Sequence, residues 1–415
     1  MTMNTPRLAA LAAALLLTTG LGTAQAQTAE VLHWWTSGGE SAALATIRAA
    51  YTAKGGVWQD TPIAGGGNAR AAAVNRMIGG KPPTVFQYSV GLQLLELADQ
   101  GLLNDIDDVA QVGNWDKALP PLIANISKYK GKYIAAPVNI HGENWMFYNF
   151  DALKKAGVEV PKTWADFLAA APKLKAAGII PLALGGEPWQ ERILFNSVLL
   201  GVGGREHYAK VYGKLDKAAM GTDTMLDVFK TVAALRPLVD ESSPGRKWNE
   251  TAGMVMKGTA AFQFMGDWAK GEMVAAKLEP GKDIGCALAP AKDTAYIMTV
   301  DAFAFSNVKD APSKGAQTLM ATVMMDPATQ AAFSKRKGSI PSRLDVPDIG
   351  FDSCAKVAIN TLKDPATHLV STGLFGVPSA VSGAIDDAIS QFWNNKAMTP
   401  EQGRDLFVKA IDRAK

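Results

Sequence analysis

The sequence predicts an α/β protein with two lobes, a hinge and a cleft between the lobes. The chain has 415 residues, which at about 150 residues per domain suggests two or three domains. Short apolar runs alternate with amphipathic helical patterns along the chain. Such repeated strand–helix units indicate a mostly parallel sheet with helices on both faces. Two sheets of this kind exceed a single core, so we expect two α/β lobes.

The composition is that of an ordinary soluble globular protein. Hydrophobic residues make up 48% of the chain and charged residues 20%, which excludes a disordered or collagen-like protein. There are 42 Lys and Arg residues and 39 Asp and Glu residues, for a net charge of +3. Because the charge is small and no long run of one sign occurs, we expect no nucleic-acid partner.

Residues 1–26 have the three parts of a secretory signal peptide. Arg7 gives the positive start, residues 8–17 form an apolar stretch, and Ala24-Gln25-Ala26 is a small-residue cleavage site. The apolar stretch is short for a membrane span. We predict export and cleavage after Ala26; the alternative is an uncleaved amphipathic start.

Cys286 and Cys354 are the two cysteines of the chain. In an oxidising compartment such a pair can form a disulfide, and closing this loop of about 68 residues would contribute on the order of 4 kcal/mol. The alternative is two buried free thiols. Neither cysteine lies in a redox or zinc spacing, so we expect no metal and no cofactor.

The elements follow from hydrophobic periodicity and from glycines at helix ends. The predicted strands are 30–35, 84–88, 179–184, 260–265 and 297–305. The predicted helices are 41–54, 68–78, 93–100, 166–177, 191–200, 222–239 and one from 268, and the chain from about 355 is mainly helical.

Two extended segments, 135–139 and 299–302, are the predicted crossings between the lobes. Neither has the Gly/Ser composition of a flexible linker, so both would form a hinge beside a binding cleft. The expected lobes are residues 27–137 plus 301–343, and residues 138–300 plus 344–415.

Tryptophans stand at three predicted strand-to-helix junctions: Trp34-Trp35, Trp189 and Trp268. Ligands of open parallel sheets bind outside the carboxyl ends of the strands. An indole there suits the C–H face of a pyranose ring, although these tryptophans could also pack in the core. Since successive strand residues point to opposite faces, one of Trp34 and Trp35 would face the cleft and the other the interior.

Several charged residues are candidates for binding sugar hydroxyls. Glu40 begins a helix and could equally serve a capping box, and Asp267 could cap the next helix. Asp301 interrupts an apolar strand, where a carboxylate needs a donor. Lys337 precedes a turn and could simply be solvated, and His141 could be structural.

Ten motifs, in this order from about residue 30 to the C-terminus, resemble the glucose/mannose-type solute-binding proteins of bacterial carbohydrate ABC importers. They are EVLHWWTSGGE, AGGGN, KYKGKYIAAPVNIH, PKTWADF, GVGG, PGRKWN, FQFMGDWAKGE, TVDAF, KGSIPSR and SQFWN.

The resemblance implies a type II periplasmic binding fold that closes on one neutral, glucose-like aldose. It also implies a periplasmic monomer, a membrane permease as partner, and pairing of Cys286 with Cys354. Trp35 and Trp268 would sandwich the pyranose ring. The other implied ligand-binding residues are Trp34, Glu40, Asn68, Ser89, His141, Trp189, Asp301, Lys337 and Ser382.

The chain departs from that family pattern at three positions. Ser89 stands where glucose-binding relatives have Lys, Ser382 where they have His, and Gly142 where they have Arg. A charge-assisted hydrogen bond contributes roughly 1.5–3 kcal/mol, against about 1 for a neutral one. We therefore expect weaker glucose binding or a larger ligand, such as a glycoside or disaccharide.

Two rival functions stay open. An exported glycoside hydrolase would need two carboxylates about 5–9.5 Å apart, and Glu40, Glu187, Asp267 and Asp301 supply enough acids. A binding protein for an organic acid would need arginine in the cleft, and Arg70 and Arg343 lie near matched motifs. A polyamine is the other non-sugar possibility. The resemblance favours binding over catalysis.

Overall fold

The computed structural model describes residues 27–292, 295–363, 368–371 and 376–415, so the predicted signal peptide lies outside the described residues. Across these ranges the chain forms a seven-stranded sheet and a four-stranded sheet, with a small two-stranded hairpin. Helices pack around both larger sheets. The two-lobed α/β architecture predicted from the sequence is confirmed.

The strands are β1 (Thr28–His33), β2 (Val57–Pro62), β3 (Val85–Ser89), β4 (Lys128–Tyr129), β5 (Lys132–Tyr133), β6 (Ala135–Gly142), β7 (Trp145–Tyr148), β8 (Ile180–Leu182), β9 (Ala260–Met265), β10 (Gly285–Leu288), β11 (Ala295–Phe305), β12 (Ile340–Pro341) and β13 (His368–Ser371).

The helices are α1 (Gly38–Ala53), α2 (Gly66–Ile78), α3 (Leu92–Asp99), α4 (Asp107–Val112), α5 (Trp115–Ala118), α6 (Pro121–Ile126), α7 (Phe150–Ala156), α8 (Trp164–Ala176), α9 (Pro188–Tyr208), α10 (Lys217–Met220), α11 (Asp223–Leu235), α12 (Trp248–Met256), α13 (Ala269–Ala275), α14 (Ala311–Met324), α15 (Pro327–Lys337), α16 (Ser353–Lys363), α17 (Ser379–Asn394) and α18 (Pro400–Ala414). Among the described residues, no helix has the length and apolar character needed to cross a membrane.

The seven-stranded sheet has the order β12-β6-β11-β3-β1-β2, and β13 pairs with β11. The strands β1, β2 and β3 run parallel, but β11 runs antiparallel to both β3 and β6. The four-stranded sheet, β10-β7-β9-β8, has two antiparallel pairs and one parallel pair. The expectation of mostly parallel sheets was therefore wrong, because β6 leads out of the first sheet and β11 returns to it beside β6, so these two strands run in opposite directions.

The buried apolar residues form two clusters. The larger one surrounds the first sheet, where Val31, Phe86 and Phe303 are fully buried, and it continues onto the second sheet at Trp145. The second cluster includes Phe229 and Phe262, also fully buried, between the second sheet and its helices.

The chain passes between the sheets beside β6 and β11. It leaves the first sheet after Gly142 and enters the second at Trp145. It returns between the end of β10 and the start of β11. The predicted crossing segments 135–139 and 299–302 lie within β6 and β11 themselves, a few residues from these passages.

Each predicted helix matches a described helix, but eight described helices between residues 107 and 337, among them α12, α14 and α15, were not predicted. Predicted helix 41–54 is α1 and predicted strand 84–88 is β3. The edge strand β2 escaped prediction because its largely exposed sequence VWQDTP has no buried alternation. The described chain beyond residue 355 is mainly helical, as predicted, and also contains the short strand β13.

A disulfide joins Cys286 in β10 to Cys354 in α16, with 6.2 Å between the two Cα atoms. The predicted pairing is confirmed. The disulfide links β10 of the second sheet to α16, which lies 68 residues further along the chain.

Candidate functional site

A cavity of about 560 Å³ lies between the two sheets. Most of the predicted ligand residues line it: Trp34, Trp35, Glu40, Asn68, Ser89, His141, Trp189, Trp268, Asp301 and Lys337. Ser382 is buried in α17 and is not among the lining residues. Residues far apart in sequence therefore converge on one concave space.

The strand register brings the first group of polar side chains together. Asp301 of β11 lies opposite Ser89 on one side and Asn139 on the other. Two residues further along each strand, and so on the same face, Thr299 lies opposite His141. Because directly paired residues share a face of the sheet, all five side chains point to the same side.

His141 is held by acidic groups on both sides of its ring. Its Nδ1 contacts Asp267 Oδ1, and its Nε2 lies 3.2 Å from Asp301 Oδ2. Burial alone would lower the pKa of His141, but the two carboxylates outweigh it and raise the pKa. The imidazole is therefore a buried cation over a wider pH range than a free histidine.

Asp267 holds His141 in place and is not a helix cap. Its Oδ2 accepts hydrogen bonds from the Gly142 backbone N–H at 3.1 Å and from the Tyr296 hydroxyl at 3.4 Å. The residue that precedes α13 is Trp268, and it makes no side-chain cap. Gly142 has no space for a larger residue, because an added Cβ would lie 2.3 Å from the Tyr296 ring.

Glu40 both caps a helix and forms an ion pair. With Ser37 it completes a capping box at the start of α1, and Glu40 Oε2 accepts from the Thr36 backbone at 3.1 Å. Its Oε1 accepts a hydrogen bond from Lys337 Nζ at 3.3 Å. Lys337 is 2% exposed, so it is a buried partner of Glu40 and not a solvated surface lysine.

The paired tryptophans differ in exposure, as the alternation of side chains predicts. Trp35 is 1% exposed and packs on Phe303 and Phe333, with ring centroids 5.5 and 5.0 Å away. Trp34 is partly exposed, and the Arg70 guanidinium lies 5.6 Å from its ring centroid. Trp34 therefore offers the cavity more of its ring than Trp35 does.

Three further indoles line the cavity. The rings of Trp268 and Trp189 are 6.2 Å apart, and Trp268 also meets the edge of His141 at 5.1 Å. Trp248, at the start of α12, is the third. Lys337 Nζ lies 5.7 Å from the Trp35 centroid and 5.8 Å from the Trp268 centroid, so the ammonium group is close to both rings that the resemblance assigned to the sugar sandwich.

Sequence reasoning missed a second charged group in the cavity wall, formed by Glu143, Arg192 and Asp386. Arg192 Nε lies 2.8 Å from Asp386 Oδ1. Arg192 is three residues after Trp189 on α9, a spacing that places both on one helix face. Asp386 is four residues after the predicted residue Ser382 on α17, so the same helical spacing could have identified Asp386 from the sequence.

Glu143 is the most perturbed acid of the cavity wall. Burial raises its pKa to about 7, although Arg192 and His141 act in the opposite direction. Among the described residues, no group of three or more His, Cys, Asp or Glu side chains has a metal-binding arrangement. The cavity thus combines several indoles with paired charges of both signs.

Comparison with known proteins places the chain in a family. The model of the bacterial extracellular solute-binding proteins matches residues 20–326. A probable sugar-binding periplasmic protein of Mesorhizobium japonicum is 43% identical over 392 residues, which is 93% of this chain and 94% of that protein.

Solved structures of low sequence identity share the fold. A chitin oligosaccharide binding protein superimposes with a TM-score of 0.81 at 22% identity, covering 94% of this chain and 99% of that one. A bacterial solute receptor described with an exclusive preference for β-D-galactopyranose gives 0.79 at 20% identity, covering 93% and 98%. The match to the family model and the 43% identity to the Mesorhizobium japonicum protein show that this chain belongs to the family of bacterial extracellular solute-binding proteins.

Proposed function

We propose that this protein is a periplasmic solute-binding protein that captures a neutral, glucose-like aldose between its lobes and delivers it to an ABC permease. The observation that supports this most is the cavity wall, in which the accessible rings of Trp34, Trp189 and Trp268 lie beside paired charges. Indole faces suit the C–H surface of a pyranose, and charged groups make strong hydrogen bonds to its hydroxyls.

The balance of charge favours a neutral ligand. Among the described residues, the carboxylates that line the cavity are Glu40, Glu143, Glu187, Asp301 and Asp386, and the permanent cations are Arg70, Arg192, Lys247 and Lys337. The raised pKa of His141 adds a further positive charge. A charged ligand would pair with wall residues of the opposite sign, and the wall residues of its own sign would then be buried without a partner.

Binding would favour the closed arrangement, because the sugar would contact both sheets at once. Glu40 and Asp301 belong to the first sheet and its helices, whereas Trp189 and Trp248 belong to helices of the second. A closed, sugar-loaded protein would then be the form that docks on the permease. Export after cleavage behind Ala26 and a monomeric state belong to the same proposal.

A larger glycoside or disaccharide is the second candidate. A cavity of about 560 Å³ falls within the range of about 300–1,000 Å³ that is usual for small-molecule sites. Ser89, which replaces a lysine of glucose-binding relatives, lies in the wall and leaves space beside Asp301. The names of structurally similar proteins include both an oligosaccharide and a monosaccharide as ligands.

The enzyme and non-sugar hypotheses receive less support. The curated relative is named for sugar binding and not for catalysis. An organic acid would find Arg70 and Arg192 in the cavity, but it would also meet the carboxylates that line the wall, with Asp386 Oδ1 only 2.8 Å from Arg192 Nε.

Tryptophan fluorescence and isothermal titration calorimetry test the proposal directly. The mature protein is titrated with D-glucose, D-mannose, D-galactose, cellobiose, D-glucuronate and putrescine. We expect micromolar binding of a neutral sugar, equivalent to about −8 kcal/mol, and no binding of glucuronate or putrescine. Failure of all four neutral sugars, or turnover of an aryl glycoside, would overturn the proposal.

A further inference from the structure

Two buried charged side chains in the cavity wall have polar atoms without a partner. Glu143 is 3% exposed and Arg192 4%. Within the part of the chain that the structure describes, Glu143 Oε2 and Arg192 Nη1 make no hydrogen bond. Arg192 Nε approaches Asp386 Oδ1 but outside hydrogen-bond geometry. Both residues line the cavity, so a ligand could reach them.

Unpartnered buried charges are rare because burial without a hydrogen bond costs several kcal/mol. Other charged groups of the cavity wall are paired within the chain: Lys337 is hydrogen-bonded to Glu40, and His141 contacts Asp267 and Asp301. Because Glu143 and Arg192 line the cavity, a ligand can supply the hydrogen-bond partners that Glu143 Oε2 and Arg192 Nη1 lack.

On the basis of the proposed sugar-binding function, we propose that Glu143 and Arg192 are ligand-binding residues. One sugar hydroxyl donates to the Glu143 carboxylate and a neighbouring oxygen accepts from Arg192, and this contact couples sugar binding to proton release. Neither residue belongs to the ligand set that the family resemblance implies.

The direction of the coupling follows from the chemistry of the carboxyl group. In the free protein, burial raises the pKa of Glu143 to about 7, so the group is half protonated near neutral pH. A hydroxyl that donates to Oε2 favours the ionised carboxylate and lowers this pKa. Sugar binding at pH 7 therefore releases a fraction of one proton, on the order of 0.5.

Other charged groups act on Glu143 from each neighbouring element and must be held constant in the test. They are His141 on its own strand, Asp301 on β11, Arg192 on α9 and Asp386 on α17, with the buried phenols of Tyr208 and Tyr212 beyond Arg192. Substitution of Glu143 alone leaves all of them in place, so a change in proton release is attributable to this carboxyl group.

Calorimetry of the mature protein tests the contact. The probe is whichever of D-glucose, D-mannose, D-galactose and cellobiose binds most tightly, measured in two buffers of different ionisation enthalpy. For the wild-type protein we expect affinity to rise roughly tenfold from about pH 6 to about pH 8, with proton release. Identical heats in both buffers at pH 7 would overturn the proposal without any variant.

The isosteric variant Glu143→Gln should lose proton release and the pH dependence, and bind about tenfold more weakly at pH 8. Glu191→Gln is the matched control: Glu191 is 2% exposed, its pKa is also raised by burial and its Oε2 also has no hydrogen-bond partner, but it does not line the cavity. Asn394 donates to its Oε1 at 3.0 Å. It should behave as the wild-type protein.

The outcomes separate this inference from the proposed function. If none of the four sugars binds the wild-type protein, both fail. If a sugar binds the wild-type protein and Glu143→Gln equally, with equal proton release, sugar binding stands and the Glu143 contact is wrong. Arg192→Gln, which keeps Glu143 but removes the guanidinium group and its charge, should weaken binding at both pH values.

Discussion

Two groups of buried charge in the cavity wall differ in how they are paired. In the paired group, Lys337 is hydrogen-bonded to Glu40, and His141 lies between Asp267 and Asp301. In the unpaired group, Glu143 Oε2 and Arg192 Nη1 have no hydrogen-bond partner among the described residues. A paired network is fixed before the ligand arrives, whereas unpartnered groups destabilise the free protein and gain a partner only on binding. The difference separates groups that shape the cavity from groups that await a ligand.

Removing one partner from the paired group should have the largest effect on the free energy of unfolding. Lys337→Met leaves Glu40 buried and without its cation, and loss of one partner of a buried ion pair costs about 3–5 kcal/mol. Urea denaturation should show this loss, and calorimetry should show weaker sugar binding. A variant as stable as the wild-type protein would mean that the Glu40–Lys337 pair is not a structural link.

Removing the unpartnered charge should instead stabilise the protein at high pH. The pKa of Glu143 is raised by burial from the ordinary 4.5 to about 7, so its contribution to stability is complete below the unfolded-state pKa and is lost as pH rises through 7. The difference corresponds to on the order of 3 kcal/mol. Glu143→Gln should match the wild-type protein near pH 4 and exceed it in stability above pH 8.

Urea denaturation of both proteins across this pH range measures the effect. The raised pKa of His141 also lowers stability as pH rises, but it acts on both proteins alike and cancels in the difference. If the wild-type protein became more stable than Glu143→Gln as the pH rises, the assignment of Glu143 to the unpaired group would be wrong.

An indole of the cavity should matter for affinity more than for folding. Trp268 is partly exposed and faces Trp189 and His141, so Trp268→Ala removes a stacking surface with a limited loss of core packing. We expect about a hundredfold loss of sugar affinity, equivalent to about 2.7 kcal/mol. Trp58→Ala, a partly exposed tryptophan outside the cavity lining, should bind normally in the same titration.

The smallest effect is expected at Ser382. Its side chain is buried in α17 and does not line the cavity, so Ser382→Ala should change sugar affinity by less than about twofold. Asp386, one turn along the same helix, does line the cavity, and Asp386→Asn should weaken binding through its partner Arg192. If both variants changed sugar affinity equally, the prediction that Asp386 contributes to the binding site and Ser382 does not would be wrong.

The sequence alone was sufficient for the fold class, most helices and much of one cavity wall. Helix signals are local: the Ser37–Glu40 capping box and the glycines after residue 54 mark α1 without reference to the rest of the chain. Tryptophans at strand ends were informative for a similar reason, since ligands of α/β sheets bind outside the carboxyl ends of the strands. The resemblance to a family added Lys337, whose neighbours in sequence give no sign of its burial.

Tertiary structure alone decided which charges are paired and which are not. Asp267 and Glu40 both looked like helix caps, but only Glu40 is one, because the Asp267 carboxylate bonds Gly142 across the sheet boundary. Glu143, Arg192 and Asp386 lie on a strand end and two helices that meet only when the chain folds. Periodicity reports which face of an element is buried; what that face meets depends on contacts between residues distant in sequence, and those contacts set the pKa of Glu143 and the binding chemistry of the cavity.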